Sequence, residues 1–244
     1  MSISSRNSTL AYRTEGSGPL VVLLHGLLMS GESWVENGLV NALSKNYCVA
    51  FPDLSGHGDS KAFTHPDSYT LENQSAAVIQ IIDELGYEKA HIIGYSAGAW
   101  LATGLLKYHR NRLSSVVIGG WDIVKGLPEG PDGPLTYNVF MSYARSTAPE
   151  MTSWVTPDAE TGLKAFFNSL SQQQDMEIRV KHSEVPVLFW VGADDFIYHD
   201  VKNWAIENKR PFLSSHGNHL VAMLQPEPAI FHEILSFIGT HNTD

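Results

Sequence analysis

The chain holds a single cysteine, Cys48, among 244 residues. An intrachain disulfide is therefore impossible, and a cysteine-based zinc site is excluded in practice. Cys48 lies in the apolar run Tyr47-Cys48-Val49-Ala50-Phe51, where a small buried hydrophobe is expected rather than a reactive thiol. Long apolar runs are also missing. None approaches the roughly 20 residues that a membrane-spanning helix needs, and the N-terminal MSISSRNSTLAYRTEG carries no signal-like apolar stretch. A cytoplasmic protein with no membrane partner is the expectation. Positive charge is scarce: 16 Lys and Arg face 26 Asp and Glu, a formal net charge of -10. Such a surface repels nucleic acid and anionic lipid. The charges are scattered, which suits a solvated surface. There is no internal repeat and no low-complexity tract.

What is present is core material. Apolar residues make up 43% and charged residues 17%, enough for one α/β domain with a modest insertion. Short apolar runs bounded by turn residues read as strands buried on both faces: Pro19 to Leu24, Tyr47 to Phe51, Ala90 to Ile93, Ser115 to Ile118, Val185 to Val191 and, more weakly, Pro211 to Ser214. Leu10 to Thr14 reads as an edge strand. Helical patterns alternate with them. Thr70 is a good N-cap, Leu71, Val78, Ile82 and Leu85 fall on one face, and Gly86 closes that helix. Ala97 to Tyr108 and Ala229 to Ile238 read as two more. The alternation implies a mostly parallel sheet with helices on both faces. Residues 122–184 break it. They open with a Gly/Pro-rich segment, Gly126 to Pro134, and hold two helical patterns, one near Leu135 to Arg145 and one from Thr156 and Pro157 to about Ser171. An insertion of this length is expected to be functional, and it reads as a lid on a core made of residues 1–121 and 185–244.

Gly94-Tyr95-Ser96-Ala97-Gly98 matches G-x-S-x-G. The pattern alone is weak, because Gly and Ser are common. Its context is specific: it follows a strand run and opens a helix, which is where the chemistry wants a serine. The glycines leave room for a sharp turn that exposes the hydroxyl, and the helix N-terminus aims backbone N–H groups at a developing anion. A serine hydroxyl needs a base, and the base needs an orienting acid. Among 11 histidines, His219, in the loop after the last strand, is the leading base, with His216 behind it. Asp195, in Val191-Gly192-Ala193-Asp194-Asp195, is the leading acid. Asp194 is the second candidate and Asp122, which also ends a strand, the third. The order Ser, Asp, His is the one this strand–helix arrangement requires. The N–H groups of Leu27 and Ala97 are the expected oxyanion donors. His25 is expected to brace its loop and His57 to serve a turn.

With these residues in hand, the sequence resembles the α/β-hydrolase superfamily, especially its small bacterial esterase-like members. HGLLMSGESW resembles the oxyanion loop, FPDLSGHGDS the D-x-x-G-H-G-x-S segment, GYSAG the nucleophile elbow, VGADD the G-x-x-D acid loop and GNHL the histidine loop. Asn218 stands where many relatives have glycine before the histidine. The resemblance implies an α/β-hydrolase fold with a helical lid inserted after strand 6, and it points to Asp195 as the acid. It also implies a wide set of relatives: esterases, lactonases, carbon–carbon bond hydrolases, peptidases, cofactor-free haloperoxidases and hydroxynitrile lyases.

The expected reaction is acyl transfer on a small-to-medium apolar ester, with no metal and no cofactor. Trp121, Tyr137, Phe140 and Trp154 are the expected substrate-binding side chains. Met141, Phe166 and Phe167 share the same stretch, where such residues more often form lid core. A lactone or a carbon–carbon substrate on the same triad is the alternative, and a non-catalytic ligand-binding protein is the alternative of another class.

Overall fold

Leu20–Leu24 is a run of five apolar residues, all of them buried, and its side chains part to opposite sides of a sheet. Leu20, Val22 and Leu24 join one hydrophobic layer, while Val21 and Leu23 join the other. That two-residue alternation with both sides covered is what a continuous apolar run means in a central strand. The computed structural model describes residues 2–4, 9–63, 65–130 and 133–242.

Eight strands form one sheet: β1 (Ser2–Ser4), β2 (Tyr12–Glu15), β3 (Leu20–Leu24), β4 (Cys48–Pro52), β5 (Ala90–Tyr95), β6 (Leu113–Gly119), β7 (Val187–Gly192) and β8 (Phe212–Ser215). Their order is β1-β2-β4-β3-β5-β6-β7-β8. β2 runs antiparallel to both β1 and β4, and every pairing from β4 across to β8 is parallel. β2 is not the edge strand expected from Leu10 to Thr14, because β1 pairs outside it. The polar Ser-Ile-Ser of β1 carries too little apolar signal to be read as a strand.

Helices cover both faces. α1 (Glu32–Glu36), α2 (Leu39–Leu43) and α11 (Pro228–Gly239) bury Trp34, Leu39, Val40, Leu43, Ile230, Ile234 and Ile238 on one side. α3 (Leu71–Glu84), α4 (Ala97–Tyr108) and α9 (Tyr198–Glu207) cover the other. The Thr70 hydroxyl accepts the Asn73 N–H at 3.2 Å and starts α3, and Gly86, with a φ of 78°, ends its turn. No described helix is long and apolar enough to cross a membrane.

Between β6 and β7 the described residues form a two-residue antiparallel ladder, Glu129–Gly130 with Gly133–Pro134, and four helices. Pro131 and Asp132 of the expected Gly/Pro-rich segment lie outside the described residues. α5 (Tyr137–Thr147) and α7 (Pro157–Ser169) correspond to the two expected helices. Thr136 and Thr156 cap them by accepting the Val139 and Ala159 N–H groups. α6 (Pro149–Thr152) and α8 (Met176–Lys181) were not expected. Four and six residues are too few to display a helical period. The end of this segment is tied to α3 and α4. Trp100 Nε1–H donates to the Gln172 carbonyl at 3.2 Å, and the Leu71 N–H donates to Gln172 Oε1 at 3.0 Å. α10 (His219–Leu224) completes the list.

Candidate active site

Ser96 sits between β5 and α4 with φ 55° and ψ −118°. A non-glycine residue at positive φ is strained, and the surroundings must hold it there. Its N–H donates to the Gly119 carbonyl at 2.8 Å, while its own carbonyl accepts the Ala99 and Trp100 N–H groups. Gly94 and Gly98 make the elbow sterically possible. A Cβ at Gly94 would stand 2.7 Å from the Ala99 nitrogen, and one at Gly98 would stand 2.7 Å from the His25 carbonyl oxygen. Tyr95 and Ala97 are buried, but Ser96 is only partly covered.

His219 is the first residue of α10, whose cap is Asn218: the Asn218 side-chain oxygen accepts the Leu220 and Val221 N–H groups, each at 3.1 Å. His219 Nδ1 lies 2.7 Å from Asp195 Oδ2. A carboxylate can only accept, so this bond puts the proton on Nδ1 and leaves Nε2 with a free lone pair, the form a general base needs. The Tyr95 hydroxyl donates to the His219 carbonyl at 2.8 Å, and the two rings lie 5.2 Å apart. Burial, and then the Asp195 charge, push the Tyr95 hydroxyl well above its ordinary range, so it stays a donor. Gly120, at φ 56°, passes beneath the imidazole, where a Cβ would come within 3.0 Å of His219 Cε1. Among the described residues no hydrogen bond joins Ser96 Oγ to His219. Such bonds commonly tighten only when substrate is bound.

The three acid candidates are placed differently. The Asp195 side chain is 0% exposed, and its second oxygen accepts the Ile197 N–H at 3.2 Å. Asp194 is exposed. Asp122 is buried and turns its Oδ1 onto the Val124 and Lys125 N–H groups, closing its own loop. His216 pairs with Glu227 at 2.8 Å on the surface.

The loop after β3 runs against the elbow. A Cβ on Gly26 would meet Ser96 Cβ at 3.3 Å. The Met29 N–H closes a turn onto the Gly26 carbonyl, and the Leu28 N–H donates to His57 Nε2 at 3.2 Å. Of the three successive amides, the Leu27 N–H is the one left without an acceptor among the described residues. The Ala97 N–H, at the first position of α4, is beyond reach of any intrahelical acceptor.

His25 and His57 brace this loop reciprocally. His25 Nδ1–H donates to the Gly26 carbonyl at 2.7 Å, and its Nε2 accepts the Leu54 N–H at 2.9 Å. His57 Nδ1 faces the Ser55 carbonyl at 3.2 Å. Both rings are fully buried, and burial lowers their pKa values to about 4 and about 3. His57 does more than the turn role expected of it, since it holds the Leu28 amide directly. Its only sequence signal was a histidine wedged between two glycines.

Of the expected substrate-binding residues, Trp121 is buried just beyond Gly120 and donates to Gln173 Oε1 at 2.8 Å. Tyr137 and Phe140 pack on Phe167, with ring centroids 5.9 and 5.3 Å away. Trp154 donates to the Leu28 carbonyl at 3.3 Å and lies 5.6 Å from the His57 ring. Cavities of about 430 and 480 Å³ open on the insertion around Arg145 and Lys164, away from Ser96.

A family model described as alpha/beta hydrolase fold matches residues 19–121, which carry β3 through β6 and the elbow. A solved thermophilic esterase from Thermogutta terrifontis superposes with a TM-score of 0.75 at 20% identity, covering 96% of this chain and 94% of that one. The chain has the α/β-hydrolase fold. Two curated proteins resemble this α/β-hydrolase-fold chain in sequence. Epoxide hydrolase 3 of Siraitia grosvenorii is 31% identical over 117 residues, 48% of this chain but only 37% of that protein. The match thus spans little more than a third of that relative's length. Soluble epoxide hydrolase of Corynebacterium sp. (strain C12) is 25% identical over 234 residues, 88% of this chain and 79% of that protein.

Proposed function

We propose that the chain is a serine hydrolase of carboxylic esters. The observation that carries this reading is the buried Asp195 carboxylate 2.7 Å from His219 Nδ1, in a chain whose elbow serine is held at positive φ. Ser96 attacks the ester carbonyl while His219 Nε2 takes its proton. Asp195 keeps the imidazole in the correct tautomer and offsets its charge. The N–H groups of Leu27 and Ala97 receive the oxyanion, each donor contributing about 10²–10³ in rate. His219 then protonates the leaving alcohol, and water, activated by the same histidine, frees the acyl-enzyme.

The chemistry of Ser96 separates this chain from its epoxide hydrolase relatives. A serine oxygen that opened an epoxide would become an ether, which has no carbonyl for water to attack, so the enzyme would stall after one turnover. A serine acylated by an ester carries a carbonyl and can be released. Residues 122–184 act as a lid on this reading, and Trp121, Tyr137 and Phe140 supply apolar surface around the acyl group.

Turnover of p-nitrophenyl acetate, butyrate and hexanoate, with an unsubstituted lactone in parallel, tests the proposal. The expected result is ester turnover that disappears in S96A. A lactone preferred over all three esters moves the substrate to that class. No turnover of any of them by the wild type favours a ligand-binding role.

A further inference from the structure

A chain of peptide groups leads from the insertion into the oxyanion loop. Trp154, between α6 and α7, donates its Nε1–H to the Leu28 carbonyl at 3.3 Å. That carbonyl shares a peptide unit with the Met29 N–H, which donates to the Gly26 carbonyl at 3.3 Å. The Gly26 carbonyl in turn shares a peptide unit with the Leu27 N–H, the expected oxyanion donor. Leu28, at the bend between these units, is a non-glycine residue at φ 66°, a conformation that costs energy and must be held from outside. Its N–H is held by His57 and its carbonyl by Trp154. The two holding groups also touch each other, since the Trp154 ring leans on His57 at 5.6 Å and Phe166 closes on His57 from another side at 5.7 Å.

We infer that Trp154 is a positioning residue for the oxyanion hole: its indole N–H, through the Leu28–Met29 and Gly26–Leu27 peptides, orients the Leu27 N–H and strengthens it as a donor. Each hydrogen bond in such a series polarises the next, by about 10–30% per bond. The peptides are in series, so a donor at the Leu28 carbonyl draws electron density away from the Leu27 N–H. This assigns the insertion a catalytic consequence beyond enclosing substrate. The Leu28 peptide is correctly braced only while the stretch carrying Trp154 is seated on His57. The inference rests on the serine hydrolase reading.

The indole donor is removed without changing the shape of the side chain by placing β-(3-benzothienyl)alanine at position 154, and W154F provides an ordinary variant that keeps a ring on His57. The bond is long, so its loss is expected to lower kcat by about three- to tenfold, the scale of a single neutral hydrogen bond. The loss should be the same for p-nitrophenyl acetate, butyrate and hexanoate, with KM unchanged and the unfolding temperature lowered by no more than a few degrees. Labelling of Ser96 by a fluorophosphonate, which also builds charge on an oxygen in the oxyanion hole, should slow by the same factor. Wild-type kcat and labelling rate in the benzothienyl protein would overturn the inference. So would a loss confined to KM that grows with acyl length, because that describes a pocket wall. A wild-type protein that neither labels nor turns over ester would instead bring down the hydrolase reading itself.

Discussion

Replacing Asp195 by asparagine isolates what the acid does. The carboxylate is wholly buried and uses both oxygens, one for His219 Nδ1 at 2.7 Å and one for the Ile197 N–H at 3.2 Å. Asparagine has one oxygen and one NH₂ in the same volume, so it has two ways to fit. With its oxygen on the Ile197 N–H, its NH₂ faces His219 and forces Nδ1 to accept. The ring proton then moves to Nε2, and the nitrogen facing the serine can no longer take a proton. In the opposite orientation the NH₂ meets the Ile197 N–H, two donors face each other in a buried site, and stability falls by about 1–3 kcal/mol. The first arrangement keeps the fold and loses the base. A wrong tautomer costs about 10⁴ in kcat, the value the general serine–histidine–aspartate template gives for this change, or about 5 kcal/mol of transition-state stabilisation. The assay is kcat/KM for p-nitrophenyl acetate, with the unfolding temperature measured alongside. D195N is expected to fold and to lose at least about a thousandfold. D194N changes an exposed side chain and should stay within about twofold of wild type, the effect of an ordinary surface substitution. Comparable losses in the two variants, or more than a tenth of the activity retained in D195N, would rule out Asp195 as the orienting acid.

Two further outcomes follow from the same geometry. His25 and His57 have folded pKa values of about 4 and about 3, below the ordinary 6.5. The unfolded chain therefore binds more protons as the pH falls. Their contribution is fully present above pH 6.5 and is lost as the pH drops from 6.5 toward 4 for His25 and toward 3 for His57, with a combined slope approaching about 2.7 kcal/mol per pH unit. Urea midpoints measured between pH 7.5 and 5 should fall accordingly, and equal midpoints would contradict the buried neutral state. N218A removes the side chain that caps α10 directly before His219. It should cost about 1 kcal/mol in urea unfolding, and a midpoint equal to wild type would show that the cap contributes nothing.

The parts of the fold that could be read early were those whose residues meet one environment along their whole length. β3 is apolar throughout, and β5 is apolar apart from His91, because both sides of each are buried, and α3 announces itself through Thr70, a single apolar face and Gly86. β8 was a weaker signal because Phe212 and Leu213 are half-buried and Ser214 exposed at the sheet edge. α6 and α8 are shorter than the windows over which a helical period emerges. At the site, glycine spacing and chain order nominate Ser96 and His219, and the resemblance of VGADD to an acid loop points to Asp195. They could not say that Asp194 faces solvent and Asp195 does not, because neighbouring residues in a loop have no fixed period. The brace formed by His57, Leu28 and Trp154 was invisible for a different reason. It joins three segments up to 126 residues apart, and only the fold brings them together.

On the proposed mechanism, Ser96 is the nucleophile. Intact-mass analysis after exposure to a fluorophosphonate probe, followed by peptide mapping, tests it most directly. The expected result is a single adduct at Ser96, lost in S96A and strongly slowed in H219A. A protein that remains unmodified, or one modified at another residue while Ser96 stays free, would contradict it.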